Sequence, residues 1–150
     1  MKLDLGCGKR KHDGCIGIDW SPENSDADII ADLNNGIPFI DNSVDEIYAS
    51  HFLEHAGNVD KILREIHRVC KLGAKVHIKV PNAGAPYEAF SNPHHLHFFI
   101  HRSFDFYCTG EMDFPRLFRM LRRPSIVNSL PIIRELPPFH ILHFELEVVK

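Results

Sequence analysis

Two glycines and two acids in the first third of the chain have the types and spacing to bind a small polar ligand. Gly6 and Gly8 flank Cys7 directly after an apolar run, Asp19 ends a second run, and Asp32 ends a third with Leu33 beside it. If those runs are parallel strands, all these residues collect beyond the carboxyl ends, where ligands of open parallel sheets bind. Glycine lets the backbone turn tightly and approach a ligand with no Cβ in the way. At the Asp19 position a carboxylate accepts from the two hydroxyls of a ribose. Asp32 has the chemistry to accept from an adenine amino group, with Leu33 as an apolar wall. A Gly-x-Gly alone marks only a turn. The dinucleotide fingerprint also needs a third glycine opening a helix that holds pyrophosphate. Lys11 stands at about that place and no helical pattern follows, which favours a nucleoside ligand without phosphates over a dinucleotide.

Proton-transfer chemistry has its own candidates. His51, Glu54 and His55 follow a fourth apolar run, and Pro93-His94-His95-Leu96-His97 with His101 forms a histidine-rich segment. Histidine titrates near neutral pH and serves readily as a general base; His51, His55 and His95 are the candidates. The ordinary role of any single one is capping or packing. The spacings His-x-His and His-x-x-x-His also suit a metal, but no cysteine or carboxylate between Asn92 and Arg102 completes a ligand set, so no metal is assigned. The basic groups Lys9-Arg10-Lys11 and Arg116, Arg119, Arg122 and Arg123 are ordinarily solvated. The first, if functional, favours an anionic acceptor; Phe114 to Arg123, if functional, fits a membrane surface or an acidic substrate.

The elements that must position these residues follow from periodicity. Lys2–Leu5, Cys15–Asp19, Asp28–Ala31, Asp45–Ala49 and Lys75–Val80 read as strands. Asn58 to Leu72 reads as a helix, because Val59, Ile62, Leu63, Ile66, Val69 and Cys70 follow the i, i+3, i+4, i+7 rule. Asn58 is its N-cap and Gly73 its C′ residue. Strand–helix–strand with apolar strands predicts an α/β domain on a mostly parallel sheet. The connections after the first three strands hold only about nine to thirteen residues, where a parallel crossover normally takes a dozen or more. Loops or single helical turns are therefore expected there, with one sheet face thinly covered. A partner subunit, as in a homodimer, or the C-terminal third would cover it. In that third, His97–Tyr107 reads as a loop becoming a short helix, Phe114–Met120 as a strand and Ile126–Leu136 as a short excursion. Ile141–Val149 alternates as a half-buried, sheet-closing antiparallel strand.

Bulk properties set the class. The 150 residues carry 17 Lys and Arg against 20 Asp and Glu, a formal net charge of −3. That length suits one domain with one core, and that charge excludes a generic nucleic-acid binder. No apolar run is long enough to span a membrane, and Met1-Lys2-Leu3-Asp4 does not open a secretory signal. Cys7, Cys15, Cys70 and Cys108 have no metal or disulfide spacing, so free thiols in a reducing cytoplasm are expected.

The ordered set resembles the class I S-adenosylmethionine-dependent methyltransferases, in their compact type 11-like form. The resembling residues are Leu3-Asp4-Leu5-Gly6-Cys7-Gly8, Gly17-Ile18-Asp19 and Ala31-Asp32-Leu33. Ile37-Pro38-Phe39 to Asp45-Glu46-Ile47, Ser50-His51-Phe52-Leu53-Glu54-His55, Leu72-Gly73-Ala74 and Val80-Pro81-Asn82 continue the match through about residue 85. The resemblance implies a Rossmann-like sheet of seven strands, the last antiparallel. It implies S-adenosylmethionine as cofactor, with Asp4, Gly6, Cys7 and Gly8 around its methionine end. It further implies Asp19 on the ribose, Asp32 and Leu33 on adenine, and His51 beside the sulfonium. One domain is expected over 1–150, with a cofactor-binding half (1–85) and a substrate-side half that closes the sheet (86–150). The expected activity is methyl transfer to a small or modest-sized acceptor. The alternative is a non-catalytic protein of the same fold that binds the cofactor or a nucleoside as a regulatory or interaction subunit. The short crossovers and the missing helix before strand one motivate it.

Overall fold

The computed structural model describes residues 1–84, 89–112, 114–124 and 141–150; the excursion expected over Ile126–Leu136 lies outside them. Strands β1 (Lys2–Leu5), β2 (Ile16–Asp19), β3 (Ile29–Ile30), β4 (Val44–Ser50), β5 (Cys70–Pro81), β6 (Phe118–Arg122) and β7 (Ile141–Val148) form one sheet. Its order is β3-β2-β1-β4-β5-β7-β6. The first five strands are parallel, and β7 runs antiparallel to both β5 and β6. This is the mostly parallel α/β sheet with an antiparallel C-terminal strand that the sequence predicts. The order reverses between β1 and β4, so the carboxyl ends of those two strands open the crevice.

Register carries one face identity across the whole sheet. Leu3 pairs Ile47, Ile47 pairs Val76, and Val76 pairs Leu146. All four are fully buried, as are Leu5, Ala49, Ile78 and Phe144 one step along. Helix α1 (Val59–Val69) buries Ile62, Leu63, Ile66 and Val69 in that same cluster, which also takes in Phe99, Phe104 and Tyr107. Asn58 caps α1, its side chain accepting from the Lys61 amide at 2.9 Å. The helix stops at Val69, short of Leu72. Cys70 is extended and fully buried and pairs with Val44, so sheet pairing overrides the helical period. Gly73 then lies not behind a helix but in an irregularity of β5, at φ 78°, between the pairs Val44–Cys70 and Glu46–Lys75. Strand β6 likewise begins four residues later than Phe114, whose ring instead packs on Phe106 and Tyr107 of α2 (Asp105–Thr109).

The opposite face is polar and carries no helix from the early crossovers. Between β1 and β2, and between β2 and β3, the chain has no helix; between β3 and β4 it has one 3-10 turn, Leu33–Asn35. Rings and charges clad this face instead. His12 stacks on Tyr48 at 4.5 Å between centroids and Tyr48 on His77 at 4.7 Å, with His143 next at 6.1 Å. Glu46 accepts from the Tyr48 hydroxyl and from His77 Nε2, each at 3.0 Å, and pairs with Lys2 at 2.6 Å.

The Lys2 ammonium first, then the Tyr48 hydroxyl and His77 ring, hold the Glu46 carboxyl at about 2 against the opposing effect of burial. A carboxyl whose folded value lies below its unfolded one stabilises the fold above the unfolded value, and that stabilisation disappears as pH falls through the folded one. Glu46→Gln is therefore expected to cost about 1–2 kcal/mol at neutral pH, modest because Lys2 is half exposed. In denaturant titrations the gap between variant and wild type should close from about pH 4.5 down to about pH 2. A gap constant over that range refutes the linkage.

Candidate functional site

A cleft of about 580 Å³ opens at the carboxyl ends of β1 to β4. Its walls include Gly6, Asp19, Asp32, Leu33, His51 and His55, together with Trp20, Ile30, Ala31, Asn34, Phe52 and Ala56. Six of the residues marked by the sequence thus share one cleft. Asp4, Cys7, Gly8 and His95 are not among its lining residues.

The glycine loop is shaped by backbone necessity. Gly6 turns at φ 65°, donating its amide to the Ile18 carbonyl at 2.8 Å. A Cβ there would sit 2.8 Å from Phe52 Cδ2, so both the dihedral and the space demand glycine. Gly8, at φ 52°, donates to Asp19 Oδ2 at 3.0 Å, while the Ser21 amide donates to Asp19 Oδ1 at 3.0 Å. Asp19 is 9% exposed. Each of its oxygens holds one backbone donor and keeps a second lone pair, so the carboxylate is held rigidly with acceptor capacity left over.

Asp4 does different work. It is 2% exposed, and its Oδ2 accepts from the His12 amide at 2.8 Å and from His12 Nδ1 at 2.9 Å. That fastens the 9–14 segment over β1 and β2. Lys11 and Asp28 brace the same segment: Lys11 Nζ donates to Asp28 at 2.8 Å, and Asp28 also accepts from the Gly17 amide at 2.8 Å. Burial pushes the Cys7 thiol up to about 11, with the Asp4 and Asp19 charges adding to it, so it is a packing group rather than a nucleophile.

Asp32 caps the Leu33–Asn35 turn, Oδ1 accepting from the Asn34 amide at 2.9 Å and from Asn34 Nδ2 at 3.0 Å. Oδ2 takes only Asn35 Nδ2, at 3.3 Å. Asn34 in turn accepts from the Gly57 amide at 2.8 Å, tying this wall to the segment after β4. Trp20 is 77% exposed at the cleft, and an aromatic ring left in water at a cleft mouth is suited to stacking a planar base. Trp20, Ile30, Asn34 and Phe52 were not singled out from sequence. Trp20 and Phe52 adjoin residues that were, so proximity was the available signal.

Beyond β4 the backbone turns through His51 at φ 55°, a conformation uncommon outside glycine and, among other residues, commoner for Asn, Asp and His. His51 Nδ1 lies 3.1 Å from Oε1 of Glu54, which is 1% exposed. A carboxylate only accepts, so Nδ1 carries the proton and Nε2 the lone pair. The histidine-rich segment packs against this corner. Leu96 and His97 amides donate to the Glu54 carbonyl at 2.7 and 3.2 Å, and His97 Nε2 donates to the Ala56 carbonyl at 2.8 Å. His55 Nδ1 donates to the His94 carbonyl at 3.0 Å, and His95 Nδ1 to the Ala89 carbonyl at 2.8 Å.

Residues 3–78 match the family model described as a methyltransferase domain. No curated protein matches the sequence. Among solved structures, an Archaeoglobus fulgidus SAM-dependent methyltransferase superposes with a TM-score of 0.69 at 16% identity, over 97% of this chain and 85% of its own. One from Methanosarcina mazei gives 0.68 at 16%, over 99% and 92%. A chain of the complex between the Haloferax volcanii Trm112 methyltransferase activator and a methyltransferase gives 0.68 at 19%, over 99% and 82%. At such identities the likeness is one of fold.

Proposed function

The chain belongs to the methyltransferase domain family, within the class I S-adenosylmethionine-dependent methyltransferases, and from that premise we propose that it transfers a methyl group from S-adenosylmethionine to a small or modest-sized acceptor. The observation that carries this is the convergence of Gly6, Asp19, Asp32, Leu33 and His51 on one cleft. Its volume lies within the usual range of small-molecule sites, about 300–1,000 Å³. The spare lone pairs of Asp19 suit the ribose hydroxyls, and the less engaged Oδ2 of Asp32 suits the adenine amino group. Leu33, Ile30 and Trp20 supply apolar walls for the base. Asp4, Cys7 and Gly8 contribute by shaping the loop at the methionine end.

When bound, S-adenosylmethionine supplies a methyl group activated by a cationic sulfur; the chain's task is alignment and, for an acceptor that carries a proton, removal of that proton. His51 is the base best placed, since Glu54 fixes its tautomer and leaves Nε2 free. His55, which lines the cleft, and His95, which does not, are the further candidates. We assign residues 1–85 to the cofactor and 86–150 to the acceptor side and sheet closure, within one domain. No described helix is long and apolar enough to cross a membrane, and four unpaired cysteines fit the reducing cytoplasm. The sparsely walled side at Trp20 favours a second reading, cofactor binding without turnover, in which a protein partner completes the site.

S-adenosylhomocysteine at about a hundredfold excess over its dissociation constant should stabilise the chain by about 2.7 kcal/mol, read as a rise in Tm. No rise refutes the cofactor. Methyl incorporation from labelled cofactor across a panel of small hydroxyl, amine and carbon acceptors supports transfer. A Tm rise with no incorporation in any of them favours the binder.

A further inference from the structure

The strongest unexplained group in the molecule is Glu54. It is 1% exposed, its Oε1 is taken by His51, and its Oε2 is buried with no hydrogen-bond partner. A buried, unpaired carboxylate oxygen is costly to strip of water, and such orphans point to a water or an ion. Two histidines stand beside it. One ligand atom each from Glu54, His55 and His95 lies within 4.8 Å of the others. The rings of His55 and His95 meet edge-on with centroids 4.9 Å apart.

The two histidines are oriented as metal ligands are. Each donates Nδ1–H to a backbone carbonyl, His55 to His94 and His95 to Ala89. That bond sets the tautomer and leaves Nε2 with its lone pair, the arrangement seen around metal-bound imidazoles. The hydrogen bonds from Leu96, His97 and His55 to the 54–56 and 94 backbone hold the two segments together before any ligand arrives. The carboxylate missing between Asn92 and Arg102 thus comes from a different element.

We propose that Glu54, His55 and His95 form a binding site for a divalent transition cation. Two imidazoles and one carboxylate suit zinc, and equally the iron-group ions, with coordination positions left open. His55 also lines the cleft, so the ion borders it. On the reading that this cleft performs methyl transfer, an open position would take an oxygen donor of the acceptor, narrowing the acceptor class to hydroxyl- or carboxylate-bearing molecules. A second grouping, His77, His143 and Glu145, is less suited. His77 Nε2 already donates to Glu46, and Arg122 pairs with Glu145 at 3.4 Å.

The test needs neither cofactor nor acceptor, so its result is independent of the methyltransferase reading. Chelator-stripped full chain without a histidine tag is titrated with Co²⁺, followed by ligand-field absorption, and then competed with Zn²⁺. Saturation at about one equivalent is expected. His55→Ala and His95→Ala should each weaken binding at least about tenfold, since even outer-shell changes at metal sites cost 10–100-fold. Both are used in preference to Glu54 variants because neither side chain is fully buried; far-UV circular dichroism confirms their folding. The His77→Ala, His143→Ala double variant should bind as wild type. No saturable binding overturns the proposal, as does binding that survives loss of both His55 and His95, or that vanishes in the His77, His143 variant.

Discussion

Asp19→Ala is expected to remove the thermal shift by S-adenosylhomocysteine and to weaken its binding by about a hundredfold or more in calorimetric titration. The size follows from what one carboxylate does in three directions. On the proposed reading it offers the ligand two charged acceptors, each worth about 1.5–3 kcal/mol in a hydrogen bond. It also holds the Gly8 and Ser21 amides, which set the loop that the ligand lies against. Lost loop shape alone could mimic lost recognition, so a second variant is needed. Asp28→Ala removes the partner of the Gly17 amide and of Lys11 and loosens the adjoining 9–14 segment, yet Asp28 does not line the cleft. It should lower stability while leaving affinity within a few-fold. If Asp28→Ala costs as much affinity as Asp19→Ala, the carboxylate shapes the loop and does not hold the ligand.

His51→Asn separates chemistry from binding. Alanine would be a poor choice, because it leaves Glu54 Oε1 buried without a donor beside an Oε2 that already lacks one. Asparagine tolerates φ 55°, and its amide can still donate to the carboxylate, but it has no basic nitrogen. General-base contributions run about 10²–10⁴-fold. With an acceptor in hand, kcat should fall by that factor while the affinity for S-adenosylhomocysteine stays near wild type. An undiminished kcat would show that the acceptor arrives deprotonated or loses its proton to another group.

Much of the cleft was legible because its residues punctuate strands. Gly6, Asp19 and Asp32 each follow apolar runs whose ends are marked by residue type, and parallel strands bring such ends together whatever lies between. Asp4 shows the limit. Register places it opposite Gly17 on the polar face, and its partner there is His12, eight residues on, for which no periodic signal exists. The end of α1 was misplaced for a related reason: Leu72 continues the apolar pattern, but the pairing of Cys70 with Val44 is a contact between strands. Glu54 was the least legible. Its relation to His95 depends on hydrogen bonds between segments some forty residues apart, which no local spacing encodes. The shortened crossovers could be counted directly, and the lack of an α-helix in the first three of them followed from that.

That face bears on how the molecule behaves in concentrated solution. A broad sheet surface in water invites face-to-face stacking with another, which requires both to become dry. Here stacking would strip water from Lys2 and Glu46, from Arg122 and Glu145, and from Arg119 and Glu147, all paired across neighbouring strands. Removing solvent from ion pairs costs more than their attraction returns unless new partners are supplied. Among the described residues, the charged rows thus oppose face-to-face stacking of this sheet surface on another.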